Sequence, residues 1–356
     1  MKLIRSVYLS QYETLKKELT TNKAKQTVFI SLHVSEELQK FSKKKFEEFI
    51  HFFKINHYEI IADVSKKTLD KFECKTIDEL IKKYKIDVVR FDFGYSNTEQ
   101  LKVLRKNKIA INASTPNLNL LKLIKKHKLQ QHVFAIHNFY PSPQTGLDQS
   151  YLLNTNDILT KYGINKIYAF IPGDNDLRGP LFEGLCTLEE NRCQPPYVSF
   201  IRMVNECHIK NVIIGDSNIS NTQYNLIKDY IKNSIIQIPA IFNNPNFNSL
   251  YDKSFTCRQD VPNSLVRIIE SRVYSEQGEL IKPYNANKAR PIGTITQNNA
   301  KYLRYSGELQ ICKSSYCANS KVNVIGRVDF NYLGLLKNLN GLQKFSFINP
   351  KKLLFN

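Results

Sequence analysis

Tyr58-Glu59-Ile60-Ile61-Ala62-Asp63 and Val88-Val89-Arg90-Phe91-Asp92-Phe93 are two short apolar runs that each carry an aspartate at or near their end. Between them Thr76 and Glu79 stand three apart, the spacing of a helix-capping box, and Lys82-Lys83 fall on the presumed helix face. A buried strand, an amphipathic helix and a second buried strand make one βα unit. The unit recurs outward in both directions. Strands are expected at Leu3–Leu9, Val28–His33, Ile109–Ala113, Val133–Phe139, Ile167–Ile171 and Val212–Gly215, which with the first two makes eight. Ser35 caps an expected helix carrying Leu38, Phe41, Phe46, Phe49, Ile50 and Phe53. Ser96 with Glu99 forms another capping box, Tyr162-Gly163 reads as a helix end, and Pro196 suits the first turn of a helix running towards Cys207. Eight alternations predict an α/β fold, a closed (βα)8 TIM-type barrel, rather than an open sheet. No G-x-G-x-x-G follows the first strand, so a dinucleotide fold has little support.

The pattern changes near residue 234. Beyond it strands are expected at Ile235–Ile241, Val266–Tyr274, Ile292–Thr296, Gly307–Cys312 and Val322–Phe330, separated by Asn, Pro and Gly. The chain therefore divides into a barrel over residues 1–233 and a smaller β-rich domain over 234–356.

The net charge is +19. The lysines fall mostly on helix faces, and no basic run is interleaved with aromatics as a nucleic-acid groove requires, so no nucleic-acid partner is expected. A positive surface does favour a phosphorylated substrate. No apolar run reaches eighteen residues, so no membrane span is expected. Arg5 interrupts any apolar signal core near the start, which points to the cytoplasm. Seven scattered cysteines without a Cys-x-x-Cys predict reduced thiols, and no metal or organic cofactor.

In a βα barrel, chemistry sits at the carboxyl ends of the strands. Those positions here hold Ser31 and His33, Asp63 and Ser65, Arg90 and Asp92, Asn112 with Ser114 and Thr115, His137 and Asn138, and Asp216. Two long loops, 137–147 and 172–185, are dense in Gly, Pro and polar groups. The second carries Arg178, a fork for phosphate or carboxylate, and Glu183. Glycoside hydrolysis needs two carboxyl groups, and Asp63, Asp92, Asp216 and Glu183 are the available set, with Asp63 and Asp216 the leading pair. Each has a plainer reading: Asp63 and Asp216 as caps, Arg90 with Asp92 as an ion pair, His137 as a hydrogen-bonded core histidine.

The chain resembles the bacterial 6-phospho-N-acetylmuramidase family over essentially its whole length. The resemblance rests on Ile30-Ser31-Leu32-His33, Ala62-Asp63-Val64-Ser65, Arg90-Phe91-Asp92-Phe93-Gly94, Asn112-Ala113-Ser114-Thr115, His137-Asn138-Phe139-Tyr140-Pro141, Phe170-Ile171-Pro172-Gly173, Arg178 to Leu185, Ile214-Gly215-Asp216, Arg304 to Ile311 and Asn323-Val324-Ile325-Gly326. Ser142 and Cys186 depart from the pattern. The resemblance implies a TIM barrel followed by a cyclophilin-like β domain. It also implies an exo-acting hydrolase of the β-1,4 bond in N-acetylmuramic acid 6-phosphate–N-acetylglucosamine, working in recovery of cell-wall (peptidoglycan) sugars. The anionic groups of that substrate would meet Arg90, Arg178 and Arg304, while His33, Asn112, His137 and Asn138 would bind sugar. The Arg304–Glu308 strand would complete the pocket. Two other functions compete: a barrel enzyme acting on another phosphosugar as isomerase or lyase, and a non-enzymatic binding protein using the β domain.

Overall fold

The computed structural model describes residues 1–13, 16, 26–32, 43–92, 94–260, 262–273, 276 and 278–353. The expected Ser35 cap, with Leu38 and Phe41, and His33 lie outside them. The chain forms two compact units, Met1–Ser220 and Asn221–Asn356.

The first unit is the expected closed parallel barrel. Its strands are β1 (Lys2–Ser6), β2 (Thr27–Ser31), β3 (Glu59–Val64), β4 (Val88–Phe91), β5 (Lys108–Asn112), β6 (Val133–Ile136), β7 (Ile167–Ile171) and β8 (Asn211–Ile214). They pair in chain order, and β1 closes the ring against β8 from Lys2↔Asn211 to Arg5↔Ile214. The apolar runs are continuous because both faces of each strand are buried. Alternate residues then separate into two cores. Ile4, Phe29, Ile61, Val88, Ala110, Phe134, Ile136, Tyr168, Phe170 and Ile213 fill the interior, with every strand contributing. Val28, Ile30, Ile60, Ala62, Val89, Ile109 and Ala135 face outward into the layer built with the helices. Phe29 and Phe139 both meet the Phe170 ring edge-on, at 5.2 and 5.1 Å between centroids. The interior is thus packed up to Phe139, and only the rim above it is left for chemistry.

The expected helix signals recur. Ser96 and Glu99 form a full capping box, and Thr76 accepts from the Glu79 amide. Gly163 sits at φ +84° after the helix Gln149–Lys161. The helix from Pro196 runs to Ile201 and continues to Glu206 as a π-helix.

The second unit is a seven-stranded sheet ordered β10-β15-β9-β14-β12-β13-β11. The strands are β9 (Ile236–Phe242), β10 (Ser254–Thr256), β11 (Leu265–Arg267), β12 (Thr294–Asn298), β13 (Leu309–Cys312), β14 (Val322–Val328) and β15 (Lys344–Ile348). Only β15 with β9 is parallel. Five strands were anticipated. The one expected at Val266–Tyr274 stops at Arg267, because the chain turns into a 3-10 segment at Ile269–Ser271. β10 is three residues long and β15 lies between loops near the end of the chain, and neither drew a strand reading.

Candidate active site

Strand parity decides which rim residues face the barrel axis. Ile61 and Val88 point inward, so Asp63 and Arg90, two residues on, do the same. The register sets them side by side on β3 and β4. Arg90 Nη1 donates to Asp63 Oδ1 at 2.8 Å, and both side chains are buried, 4% and 1% exposed. The same Nη1 lies 3.8 Å from Asp92 Oδ1, whose side chain is 28% exposed. Arg90 Nη2 donates to Asn138 Oδ1 in a short hydrogen bond. Two carboxylates, one guanidinium and one amide therefore converge at the ends of β3, β4 and β6. Parity also turns Asn112 and Asn138 to the axis, after Ala110 and Ile136. Asn112 Oδ1 accepts from the Ser114 and Thr115 amides at 2.8 and 3.4 Å. Since each Asn oxygen is engaged, each presents its NH2 as a donor.

His137 follows the opposite parity and is fully buried in the wall. Its Nε2 lies 2.9 Å from Asn156 Oδ1 and its Nδ1 3.2 Å from Ser114 Oγ. Ser114 Oγ in turn accepts from the Asn138 amide at 2.9 Å. Burial pushes the His137 pKa down to about 4, further lowered by Arg90 and opposed by the Asn156 hydrogen bond, so the ring is neutral at pH 7. Nε2–H donates to Asn156 and Nδ1 accepts from Ser114. Both ring nitrogens serve the wall, and through Ser114 they position Asn138.

Asp216 also faces away from the axis, and it is fully buried. Its Oδ2 accepts from the amides of Gly173 and Leu185 at 2.8 and 2.9 Å, and its Oδ1 from the Arg178 amide at 3.0 Å. This carboxylate ties both ends and the middle of the loop after β7 to the end of β8. The wrap is tight: a Cβ on Gly173 would stand 2.2 Å from the Asn218 carbonyl oxygen, and Gly184 sits at φ +82°. The Arg178 guanidinium carbon lies 3.8 Å from the Tyr8 ring centroid, and Tyr8 Oη donates to the Gly215 carbonyl at 2.7 Å. Glu183 is exposed on the same loop.

An ion pair joins the two long loops. Arg192 Nε and Nη2 donate to the two Glu189 oxygens at 2.6 and 2.7 Å. Glu189 also accepts from the amides of Gln144 and Gly146, both at 2.8 Å, in the loop after β6. Arg192 reaches the carbonyls of Ser142 at 3.2 Å and Gly184 at 2.8 Å. The hydrogen bonds from Arg192, then those from the two amides, hold the Glu189 pKa down at about 2 against the opposing effect of burial.

In the second unit, Arg267 grips buried Glu308 with two hydrogen bonds of 2.8 and 2.9 Å, and Gln310 adds a third of 2.8 Å. Burial alone would raise the Glu308 pKa, but these partners, with Arg272, bring it below the ordinary value. Arg304 is exposed and donates to Tyr305 Oη at 2.9 Å. Among the described residues no group of His, Cys, Asp and Glu is arranged to hold a metal ion, and no helix is long and apolar enough to cross a membrane.

The N-terminal family model of the 6-phospho-N-acetylmuramidases matches residues 5–229, and the C-terminal model matches residues 236–348. The chain belongs to the 6-phospho-N-acetylmuramidase family. No curated protein matches it. Among solved structures it is similar to a conserved Enterococcus faecalis protein of unknown function, at 25% identity and a TM-score of 0.82, covering 99% of this chain and 98% of that one. It is also similar in fold to an uncharacterized B. cereus protein, at 24% identity and a TM-score of 0.76, covering 98% and 99%.

In this member of the muramidase family the rim contains residues that sequence reading did not single out as site residues. Tyr8 was absorbed into an over-long first strand. Glu189 and Arg192 stand three apart in an unremarkable stretch, and only the fold shows what they hold. Ser114 stands among the rim residues that the sequence offers, but nothing in the sequence marks it as the link between His137 and Asn138.

Proposed function

We propose that the protein hydrolyses the β-1,4 bond of N-acetylmuramic acid 6-phosphate–N-acetylglucosamine, in the cytoplasm, during recovery of peptidoglycan sugars. The observation that carries the reading is the pairing of Asp63 and Asp92 on one guanidinium nitrogen at the barrel axis, in a chain whose length is spanned by the two family models. Residues 1–233 form the catalytic domain and 234–356 the second domain, a division in keeping with the interval between the two family matches.

Water adds across the glycosidic bond. Its hydroxyl ends on the anomeric carbon, and the departing oxygen of N-acetylglucosamine gains a proton. Asp92, the more open of the pair, is the group placed to deliver that proton. Asp63, fixed by Arg90, supplies the negative charge that an oxocarbenium-like centre requires. The NH2 groups of Asn112 and Asn138 are donors for sugar hydroxyls or the acetamide oxygen. His137 and Asp216 position neighbouring groups without touching sugar.

An aryl glycoside of the same phosphosugar tests the assignment, because a good leaving group needs no proton. Asp92→Asn should lose turnover of the disaccharide by about 10²–10⁴-fold and retain most of it on the aryl glycoside. Equal losses on both would remove Asp92 from the acid role.

A further inference from the structure

We infer that Arg178, laid on the Tyr8 ring at the ends of β7, β8 and β1, is the receptor for the 6-phosphate of the sugar. The inference rests on the proposed reading for the identity of the sugar, but its geometry stands apart from the carboxylate pair.

The arginine side chains of the barrel rim differ in what they touch. Arg90 is engaged by Asp63, Asn138 and Asp92. Arg192 is engaged by Glu189 and by the carbonyls of Ser142, Glu183 and Gly184. The Arg178 guanidinium has no acceptor and no carboxylate within 4 Å among the described residues, although it is half-buried. It is also held still. Its carbon stacks 3.8 Å from the Tyr8 ring centre, Tyr8 is buried and anchored on Gly215, and the Arg178 amide is fixed by Asp216. A planar five-donor fork, immobilised without an acceptor, matches one half of a bidentate pair whose ordering cost has already been met.

Position and charge favour phosphate here over the Arg90 side. Loops after strands seven and eight are the common phosphate-binding place in βα barrels. The Arg90 guanidinium is already paired with Asp63, which leaves that side no net positive charge to offer a dianion. Strands four apart in a closed eight-stranded barrel face each other across its mouth, so β7 and β8 stand opposite β3 and β4. A sugar with its anomeric carbon at Asp63 and Asp92 can then turn its phosphate towards Arg178.

Binding by isothermal titration tests this without relying on turnover. The probes are N-acetylmuramic acid 6-phosphate, N-acetylglucosamine 6-phosphate, which lacks the lactyl group, and N-acetylmuramic acid, which lacks phosphate. Arg178→Ala should weaken both phosphorylated sugars by roughly 10–100-fold and leave N-acetylmuramic acid unchanged, in line with loss of a charge-assisted pair. Arg178→Lys should recover only part, and it supplies the reading if the alanine variant does not fold. Tyr8→Leu should weaken the same two sugars by removing the platform. Wild-type affinity of Arg178→Ala for both sugar phosphates would overturn the assignment, as would a loss confined to N-acetylmuramic acid. Failure of the wild type to bind either sugar phosphate overturns it together with the proposed reading. Binding as expected without cleavage of the disaccharide overturns the reaction alone.

Discussion

The β3–β4 rim and the β7–β8 rim each present an arginine, and the two are used in opposite ways. On the first, Arg90 is buried and neutralised by Asp63, so its charge is turned inward to set the geometry of a carboxylate pair. On the second, Asp216 directs its hydrogen bonds to backbone amides, and Arg178 has no counter-ion among the described residues. The contrast teaches that an aspartate and an arginine near one another on a barrel rim do not define a role. What matters is whether the carboxylate accepts from the guanidinium or from the main chain.

The largest expected effect concerns the reacting pair. Asp92→Asn should reduce kcat on the disaccharide by about 10³-fold with little change in stability, since the group is partly exposed. Steady-state kinetics beside a thermal melt separates the two. Arg90→Met removes the guanidinium that buried Asp63 faces and should cost about 3–5 kcal/mol in denaturant unfolding. The double change Asp63→Leu with Arg90→Met should recover much of that loss while remaining inactive. If the single and double variants were equally stable, the ion pair would not be the organising element of this rim.

On the other rim, Asp216→Ala strands three amides and should cost about 2–3 kcal/mol. Because Asp216 is assigned to the loop and Arg178 to the anion, its kinetic effect should fall mainly on KM for the phosphorylated substrate. A loss of kcat alone would restore Asp216 to the reacting pair. The smallest effect is expected at the clamp between the loops. Glu189→Gln should cost about 1–2 kcal/mol near neutral pH. The Glu189 pKa is lowered in the folded chain to about 2 from an ordinary 4.5, so its contribution is complete above pH 4.5 and fades as the pH falls towards 2. The stability gap between wild type and variant should narrow over that acid range, as followed by urea titrations at successive pH values.

All eight barrel strands were legible in the sequence because burial on both faces leaves an uninterrupted apolar run, and period-three capping pairs mark helices between several of them. The short and late strands of the second unit were not, since β10 offers three residues of pattern and β15 gives no turn signal that separates it from a loop. For the site, the rim residues could be named but not sorted. Residue types at strand ends put Asp63, Arg90, Asp92, His137 and Asp216 on one rim and favoured Asp63 with Asp216 as the carboxyl pair, whereas strand parity sets Asp63 beside Arg90 and Asp92 and turns Asp216 into the wall. Counting by twos from Ile61 and Val88 puts Asp63 and Arg90 on the axis, while the same count from Phe134 and Ile213 puts His137 and Asp216 in the wall. That count needs the inward residue of each strand, which the sequence does not mark when both faces are apolar. The Glu189–Arg192 clamp and the Tyr8 platform depend on contacts across loops and strands and left no local signal.

The most direct measurement is incubation of the purified protein with N-acetylmuramic acid 6-phosphate–N-acetylglucosamine, beside the same disaccharide without phosphate, with products read by mass spectrometry. Hydrolysis as proposed requires release of N-acetylglucosamine and the free sugar phosphate from the first and little or no release from the second. A folded preparation that leaves the phosphorylated disaccharide intact would contradict it.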